Sequence, residues 1–456
     1  MRLQKLIILY ILLFFFSRIG ILLASSSFPN IPKNMENPSY WVKKIKNPNR
    51  ILLTPKQIQM MNEENLRREE LYLCDLKSLK EEMNKEEILN LFKEDLQGFG
   101  RTEEIRYGAN GRILDDNFWN KLIENMNQDG LKDKNKILFG FITKRTDIRV
   151  FPTEEISIAN PNAYEFDRFQ HSSIPPGSLI AIYHLSRDNQ WAYVQTIFIR
   201  GWIRKKDIAI AKEKLDIKNY LEEKQHVIVT GDQIKIFLDP FFKKEAFLAS
   251  MGSSFPLIKL PEEKNKKYII KIPIRTDDET LSFKKGYISS FEDVSIGFLP
   301  YTQKNIANQA FKLLNKPYSW GDKGGARDCS RFIMDIFSTF GIILPRNSKF
   351  QAQVGKSLGQ FDSSNNIEEK KKVLDDALPL ATILRLPGHV MLYLGKENKK
   401  YYVIHNLWGI QEKHKSGSQL IHKIGKVVVT DLNLGENSLQ GSLLNRITDI
   451  RLIGER

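Results

Sequence analysis

The sequence predicts a multidomain protein of the α+β class, with a helical N-terminal region, two small β-barrels and a C-terminal α+β domain. Its 456 residues exceed the roughly 100–200 residues of one ordinary domain. Apolar residues have helical spacing up to about residue 136, then fall in short runs between turn residues up to about 300. A helix and further strands follow. The predicted boundaries are 1–26, 27–136, 137–212, 213–300 and 301–456.

The composition excludes several classes of protein. Hydrophobic residues make up 41% of the chain, enough to build sizeable cores, so a mainly disordered chain is excluded. Two cysteines, Cys74 and Cys329, exclude a disulfide scaffold and a four-cysteine zinc site, and we expect no metal or cofactor. The net charge of +15 arises from scattered basic residues without a nucleic-acid-reading motif. Nucleic acid is therefore not an expected partner.

Residues 1–26 have the order of a secretory signal. Arg2 and Lys5 precede an unbroken apolar run over 6–16, and small residues follow at 24–27. Cleavage near Ala24 or Ser26 would release an exported protein into the periplasm or cell envelope. Because Arg18 interrupts the apolar run, an uncleaved membrane anchor is the alternative, and it would be the protein's only membrane contact.

The helical region, 27–136, contains clear start signals. Pro55 suits a first helical turn, and the pair at 115–116 predicts a helix cap. We expect Phe118, Leu122 and Ile123 on the buried side of that second helix. Cys74 is predicted to be a small core residue.

Two sets of short strands predict the barrels. The first set has apolar runs at 137–142, 178–183, 191–196 and 201–203, and the second has them at 226–229, 235–238, 268–272 and 286–288. Turn residues separate these runs, which is typical of small all-β modules.

The C-terminal domain carries the candidate chemistry. A Gly-rich loop over 318–328 leads into a predicted buried helix that begins at Cys329, and strands at 390–394 and 401–404 are flanked by His389 and His405. A cysteine at a helix N-terminus is favoured as thiolate, and its N–H is a candidate oxyanion donor. A nearby histidine can pair with that thiolate and hand its proton to a leaving amine. The alternatives are a buried thiol with two surface imidazoles, and a metal site that lacks a fourth ligand.

These motifs, taken together, resemble the NlpC/P60 family of cell-wall endopeptidases. The matching positions, in family order, are 318–321, 328–330, 344–348, Gln351, Gly355, 388–390, 393–395 and His405. Residues 179–202 similarly resemble the first bacterial SH3-like (SH3b) module of longer members, and residues 225–297 resemble the second. Residues 39–61 resemble their N-terminal helical domain. The resemblance implies a papain-like catalytic domain in which the nucleophile's helix packs on an antiparallel sheet.

The resemblance also implies the roles of individual residues. Cys329 would be the nucleophile, His389 the general base and acid, and His405 the residue that orients it. The reaction would be hydrolysis of the γ-D-glutamyl–diamino acid amide in peptidoglycan or muropeptide stem peptides, through a thioester. Asp328 and Tyr318 would bind the peptide, and a helix cap and a packing aromatic are their alternatives.

Three further residues are predicted to contact substrate: Ser330, Trp320 and, in the first barrel, Tyr183. Arg331 departs from the glycine of many relatives, and either it lowers the pKa of the thiol or it points into solvent. A catalytically silent wall-binding protein, and an amidase or acyltransferase using the same Cys/His site, are the competing functions. We assume a monomer, and the sequence leaves open whether the diamino acid is diaminopimelate or lysine.

Overall fold

The computed structural model describes residues 21–23, 31–263, 266–362, 367–413 and 419–454. The predicted signal, 1–26, therefore lies outside the described residues except for 21–23, a short strand. Within the described residues, no helix combines the length and apolar character that a membrane crossing requires.

The N-terminal part is mainly helical, as predicted. Its elements are β1 (Ile21–Leu23), α1 (Pro38–Val42), α2 (Pro55–Arg67), β2 (Glu82–Asn84), α3 (Lys85–Phe99), α4 (Asp116–Asn125) and β3 (Lys134–Lys136). Pro55 is the first residue of α2, and Asp115 caps α4 by accepting a hydrogen bond from the Phe118 N–H at 2.9 Å. The prediction that Ile123 is buried is wrong, because its side chain is 37% exposed, whereas Trp119 and Leu122 are buried.

The first predicted barrel is a seven-stranded antiparallel sheet in the order β10-β4-β7-β8-β9-β5-β6. Its strands are β4 (Leu138–Ile142), β5 (Thr146–Arg149), β6 (Gln170–Ile174), β7 (Leu179–Leu185), β8 (Trp191–Gln195), β9 (Arg200–Arg204) and β10 (Ile208–Ile210). Both faces of β7 are covered: Ile180 and Ile182 join one core cluster, while Ala181 and Tyr183 join a second cluster with residues of α3 and α4. Because both faces of β7 are covered, its apolar run is continuous, whereas a strand with one exposed face would alternate apolar and polar residues.

The second sheet follows helix α5 (Lys214–Leu221) and also has seven strands, in the order β13-β12-β16-β15-β14-β11-β17. The strands are β11 (His226–Val229), β12 (Gln233–Phe237), β13 (Glu245–Ser250), β14 (Ser254–Lys259), β15 (Lys267–Arg275), β16 (Leu281–Ser289) and β17 (Val294–Ile296). It encloses its own apolar cluster around Phe255 and Ile270. Both predicted SH3-like modules are thus present as separate sheets.

The C-terminal domain combines helices with a third seven-stranded sheet. Its elements are α6 (Gln303–Lys312), α7 (Cys329–Ser338), α8 (Ser348–Gln351), β18 (Lys356–Gln360), α9 (Ile367–Asp376), β19 (Thr382–Leu386), β20 (His389–Glu397), β21 (Lys400–Lys413), β22 (Gln419–Asp431), α10 (Leu443–Arg446) and β23 (Asp449–Leu452). The strand order is β1-β22-β21-β20-β19-β23-β18, antiparallel except that β1 pairs in parallel with β22. Helix α7 packs on β20 and β21.

The chain divides into two compact units. One contains residues 1–72, 298–319 and 326–456, and the other contains 73–297 and 320–325. The predicted single helical domain over 27–136 is therefore split, because α1 and α2 belong to the unit with the C-terminal sheet, whereas α3 and α4 cover the first SH3-like sheet.

Candidate active site

The cysteine lies where the sequence predicts it, at the first residue of a buried helix. Asp328 is the N-cap of α7 and accepts a hydrogen bond from the Arg331 N–H at 2.8 Å. Cys329 is 7% exposed, and its Sγ accepts hydrogen bonds from the backbone N–H groups of Ser330 and Val390. Val390 directly follows His389, so the thiol contacts the very start of β20.

The two histidines are paired. His389 Nε2 and His405 Nδ1 lie 2.7 Å apart, and His405 Nε2 lies 3.1 Å from Thr430 Oγ1. Gly388, with φ of +79°, makes the turn between β19 and β20 that starts the strand at His389. His405 is completely buried in β21. The alternative of two surface imidazoles is therefore wrong.

Burial favours the neutral forms of the Cys329 thiol and of both histidines. Burial, and next the Asp328 charge, raise the pKa of the Cys329 thiol to about 12, although the N–H groups of Val390 and Ser330 and the Arg346 charge oppose this. Burial and the positive charge of Arg446 lower the pKa of His389 to about 3. Burial also lowers the pKa of His405 well below its ordinary value. The N–H groups at the helix start favour the thiolate, as the sequence predicts, but desolvation opposes them and is the larger effect.

Asp328 is both a helix cap and one half of a buried ion pair. Arg346 Nη2 donates to Asp328 Oδ2 at 2.6 Å, and Arg346 Nη1 lies 3.2 Å from Oδ1. Ser330 Oγ donates to Asp328 Oδ1 at 3.0 Å and accepts from Arg346 Nη1 at 2.7 Å. Burial opposes ionisation of Asp328, but the Arg346 charge and these hydrogen bonds hold its pKa below the ordinary value.

Tyr318 lies beside this group, whereas Tyr183 and Trp320 belong to the other compact unit. Burial, followed by the charges of Cys329 and Asp328, raises the pKa of Tyr318 well above its ordinary value. Tyr183 is 6% exposed in the core of the other unit, where its ring centroid lies 6.2 Å from that of Tyr193. Trp320 also belongs to that unit, and its Nε1 donates to the Asp167 carbonyl at 3.1 Å.

Arg331 does not point into solvent. It is 6% exposed, and its Nε donates to Asp335 Oδ1 at 2.6 Å, one helical turn further along α7. Asp335 Oδ2 accepts from Arg327 Nε at 2.7 Å. The buried Arg331 is accommodated because a carboxylate four residues later neutralises it inside the protein.

Sequence reasoning missed the contacts of Arg346 and Thr430, and the effect of the Arg446 charge on His389. Arg346 lies within a matched motif, but nothing in its spacing indicates that it pairs with Asp328. Thr430 is one of many residues in a long strand, and only the pairing of β21 with β22 brings it to His405. Among the described residues, no cluster of histidine, cysteine and carboxylate side chains has the arrangement of a metal site.

A cysteine at the start of a helix that packs on an antiparallel sheet, with a histidine pair on that sheet, is the arrangement of a papain-like fold. Residues 315–429 match the NlpC/P60 family, and residues 159–204 match the SH3 domain of the SH3b1 type. The C-terminal domain is thus similar to the NlpC/P60 family, and the first barrel is similar to SH3b modules.

Two known proteins are similar to larger parts of the chain. The gamma-D-glutamyl-L-lysine dipeptidyl-peptidase of Bacillus cereus is 25% identical over 162 residues, which cover 34% of this chain and 44% of that protein. The chain therefore matches less than half the length of this curated relative. The solved structure of an NlpC/P60 endopeptidase from Photobacterium damselae subsp. piscicida covers 95% of this chain and 98% of its own, at 21% identity with a TM-score of 0.70. This likeness shows that the two share a fold.

Proposed function

We propose that the protein is an exported cysteine endopeptidase that hydrolyses the γ-D-glutamyl–diamino acid amide of peptidoglycan stem peptides. The observation that carries the proposal is that the Cys329 thiol contacts the start of β20, where His389 is paired with His405. His389 Nε2 lies 2.7 Å from His405 Nδ1. The name of the Bacillus cereus relative supports the γ-D-glutamyl bond as the target. The SH3b module supports a wall polymer as the surroundings.

The proposed reaction starts from a neutral Cys329 thiol and a neutral His389. As the Cys329 sulfur attacks the scissile carbonyl, His389 takes the thiol proton, and the carbonyl oxygen becomes an oxyanion for which the Cys329 N–H is the candidate donor. His389 then gives the proton to the leaving amine, and the C–N bond breaks to leave a thioester. A water, deprotonated by His389, attacks the thioester and releases the carboxylate and the thiol. Burial disfavours each charge alone but strengthens the attraction within a thiolate–imidazolium pair, so the charges form together.

Asp328 and Tyr318 remain the proposed contacts for the peptide's N-terminal amine. Asp328 Oδ2 accepts a hydrogen bond from Arg346 Nη2 at 2.6 Å, and a carboxylate oxygen has two lone pairs with which to accept. Because Arg346 already balances the charge, recognition of the ammonium rests on a carboxylate lone pair and on the nearby phenol. Ser330, whose hydroxyl bonds to both Asp328 and Arg346, stabilises their arrangement.

The test is digestion of purified peptidoglycan fragments, with products identified by mass spectrometry. Cys329→Ala should abolish release of fragments that begin with the diamino acid, whereas the matched Cys74→Ala should retain the wild-type rate. Wild-type turnover by Cys329→Ala would overturn the proposal. Sedimentation with insoluble peptidoglycan but no turnover would favour the wall-binding alternative, and cleavage or transfer at a different bond would favour an amidase or acyltransferase.

A second measurement tests recognition of the amine. Stem peptides with free and acetylated N-terminal alanine should differ in kcat/KM by about tenfold or more, because a charged hydrogen bond contributes about 1.5–3 kcal/mol. Equal cleavage of the two peptides would remove Asp328 and Tyr318 from this role while leaving the nucleophile intact.

A further inference from the structure

Arg446 ends α10, beyond the residues that match the NlpC/P60 family. The helix is held firmly: Ser442 caps it, and Leu443 and Leu444 are buried in the core of the C-terminal unit. Ile447, the next residue, is completely buried. The backbone that carries Arg446 is therefore fixed on both sides.

The same segment lies alongside the start of β20. The Thr448 N–H donates to the Arg385 carbonyl at 2.8 Å, and Arg385 Nη1 donates to Thr448 Oγ1 at 2.9 Å. The neighbour of Arg385 is Leu386, which is paired with His389 across the β19–β20 turn. In agreement with this placement, the Arg446 charge is the second cause, after burial, that lowers the pKa of His389.

The guanidinium of Arg446 has no anionic partner in the part of the chain that the structure describes. Its side chain is half-buried, and burial lowers its pKa with no carboxylate opposing the shift. Other arginines of this unit behave differently: Arg346 pairs with Asp328, Arg331 with Asp335, and Arg385 with Asp449. Partial burial of a cation without an anion costs free energy, so binding of a ligand anion would recover part of that desolvation cost.

We propose that Arg446 is a specificity-determining residue that binds a substrate carboxylate next to the scissile amide. The inference rests on the proposed function. A glutamyl residue linked through its side chain keeps its α-carboxylate free, and the diamino acid on the other side of the bond can carry a second one. Both are planar carboxylates that a guanidinium binds through two parallel hydrogen bonds.

Four synthetic peptides separate the two carboxylates. All four have the sequence L-Ala-γ-D-Glu-L-Lys. The first has both carboxylates free, the second has the glutamyl α-carboxylate amidated, the third has the lysine carboxylate amidated, and the fourth has both amidated. For the wild-type protein we expect kcat/KM to fall about ten- to a hundredfold when the recognised carboxylate is amidated. The singly amidated peptides identify which carboxylate Arg446 binds.

Arg446→Gln should lower kcat/KM for the carboxylate peptide by a similar factor, mainly through KM, and change that of the doubly amidated peptide less than about twofold. Arg446→Lys should retain part of the discrimination. The matched control is Arg451→Gln, since burial also lowers the pKa of Arg451, but its charge is not among those that act on His389. An equal loss for all four peptides, or no loss, would overturn the inference.

A binding measurement keeps this test separate from the cleavage chemistry. Calorimetric titration of the Cys329→Ala protein with the dicarboxylate peptide should give a Kd that rises about tenfold or more when Arg446→Gln is added. Failure of the wild-type protein to cleave any peptide would reject the proposed function, whereas an unchanged Kd would reject the role of Arg446.

Discussion

His389 Nε2 lies 2.7 Å from His405 Nδ1, and His405 in turn reaches Thr430 Oγ1 with its other nitrogen at 3.1 Å. If His389 is to receive the thiol proton on Nδ1, its own proton must be on Nε2. His405 then accepts at Nδ1, carries its proton on Nε2 and donates it to the Thr430 hydroxyl. In this arrangement the Thr430 hydroxyl is the acceptor that satisfies the buried His405 N–H.

Thr430→Val should lower kcat about tenfold with little change in KM. The substitution preserves the branched shape but removes the acceptor of a buried N–H, so the His405 tautomer that supports His389 is no longer favoured. Thr430→Ser restores the hydroxyl and should restore most of the rate, which a role in packing would not predict. Peptide cleavage at several pH values is the measurement, and full activity of Thr430→Val would remove Thr430 from this role.

The Cys329 thiol should react as a resting thiol. Because burial and Asp328 raise its pKa to about 12, the rate of alkylation by iodoacetamide should keep rising up to pH 9, without a plateau near neutrality. The experiment uses Cys74→Ala, which removes the second thiol, and the same protein in urea supplies an ordinary thiol for comparison. A plateau below pH 7 would instead reveal a preformed thiolate–imidazolium pair.

Arg346→Met should destabilise the C-terminal unit strongly. It leaves Asp328 buried without its partner, and breaking a buried ion pair costs about 3–5 kcal/mol of unfolding free energy. Adding Asp328→Asn removes the orphaned charge and should recover part of the loss. The exposed pair of Lys371 and Glu368 provides the control, since Lys371→Met should cost at most about 1 kcal/mol. Urea unfolding followed by fluorescence measures all of these, and equal losses at the two sites would contradict the prediction.

The histidine pair should make the protein less stable in acid. Folding lowers the pKa of His389 from 6.5 to about 3 and also lowers that of His405, so below pH 6.5 the unfolded chain binds more protons than the folded one. This contribution to stability is complete above pH 6.5 and declines as the pH falls toward 3. The melting temperature of His405→Asn should therefore fall less between pH 7 and pH 5 than that of the wild type.

The half-buried His422 supplies the control for that experiment. It lies 3.3 Å from the Glu412 carboxylate on the neighbouring strand, outside the histidine pair. His422→Gln should therefore keep the wild-type decline between pH 7 and pH 5. Identical declines in the wild type and His405→Asn would show that the pair does not contribute.

The local features of the fold were predictable because they depend on neighbours in the chain. The Asp115 cap, the first-turn position of Pro55 and the start of α7 at Cys329 all follow from short-range backbone chemistry. The order of the strand runs likewise predicted two SH3-like modules. The split of the helical region was not predictable, because α2 and α3 look alike in sequence and differ only in which core they cover.

For the candidate site, the sequence determined which residues are present: a cysteine at a helix start, and histidines at the ends of two successive strands. Tertiary structure decided their protonation state, since their burial and the nearby charges of Arg346 and Arg446 come from segments far apart in the chain. The tertiary structure also buries Tyr183 in a core and places Thr430 beside His405. Desolvation and charge act through space, so a linear pattern can name the reacting groups but does not determine their protonation.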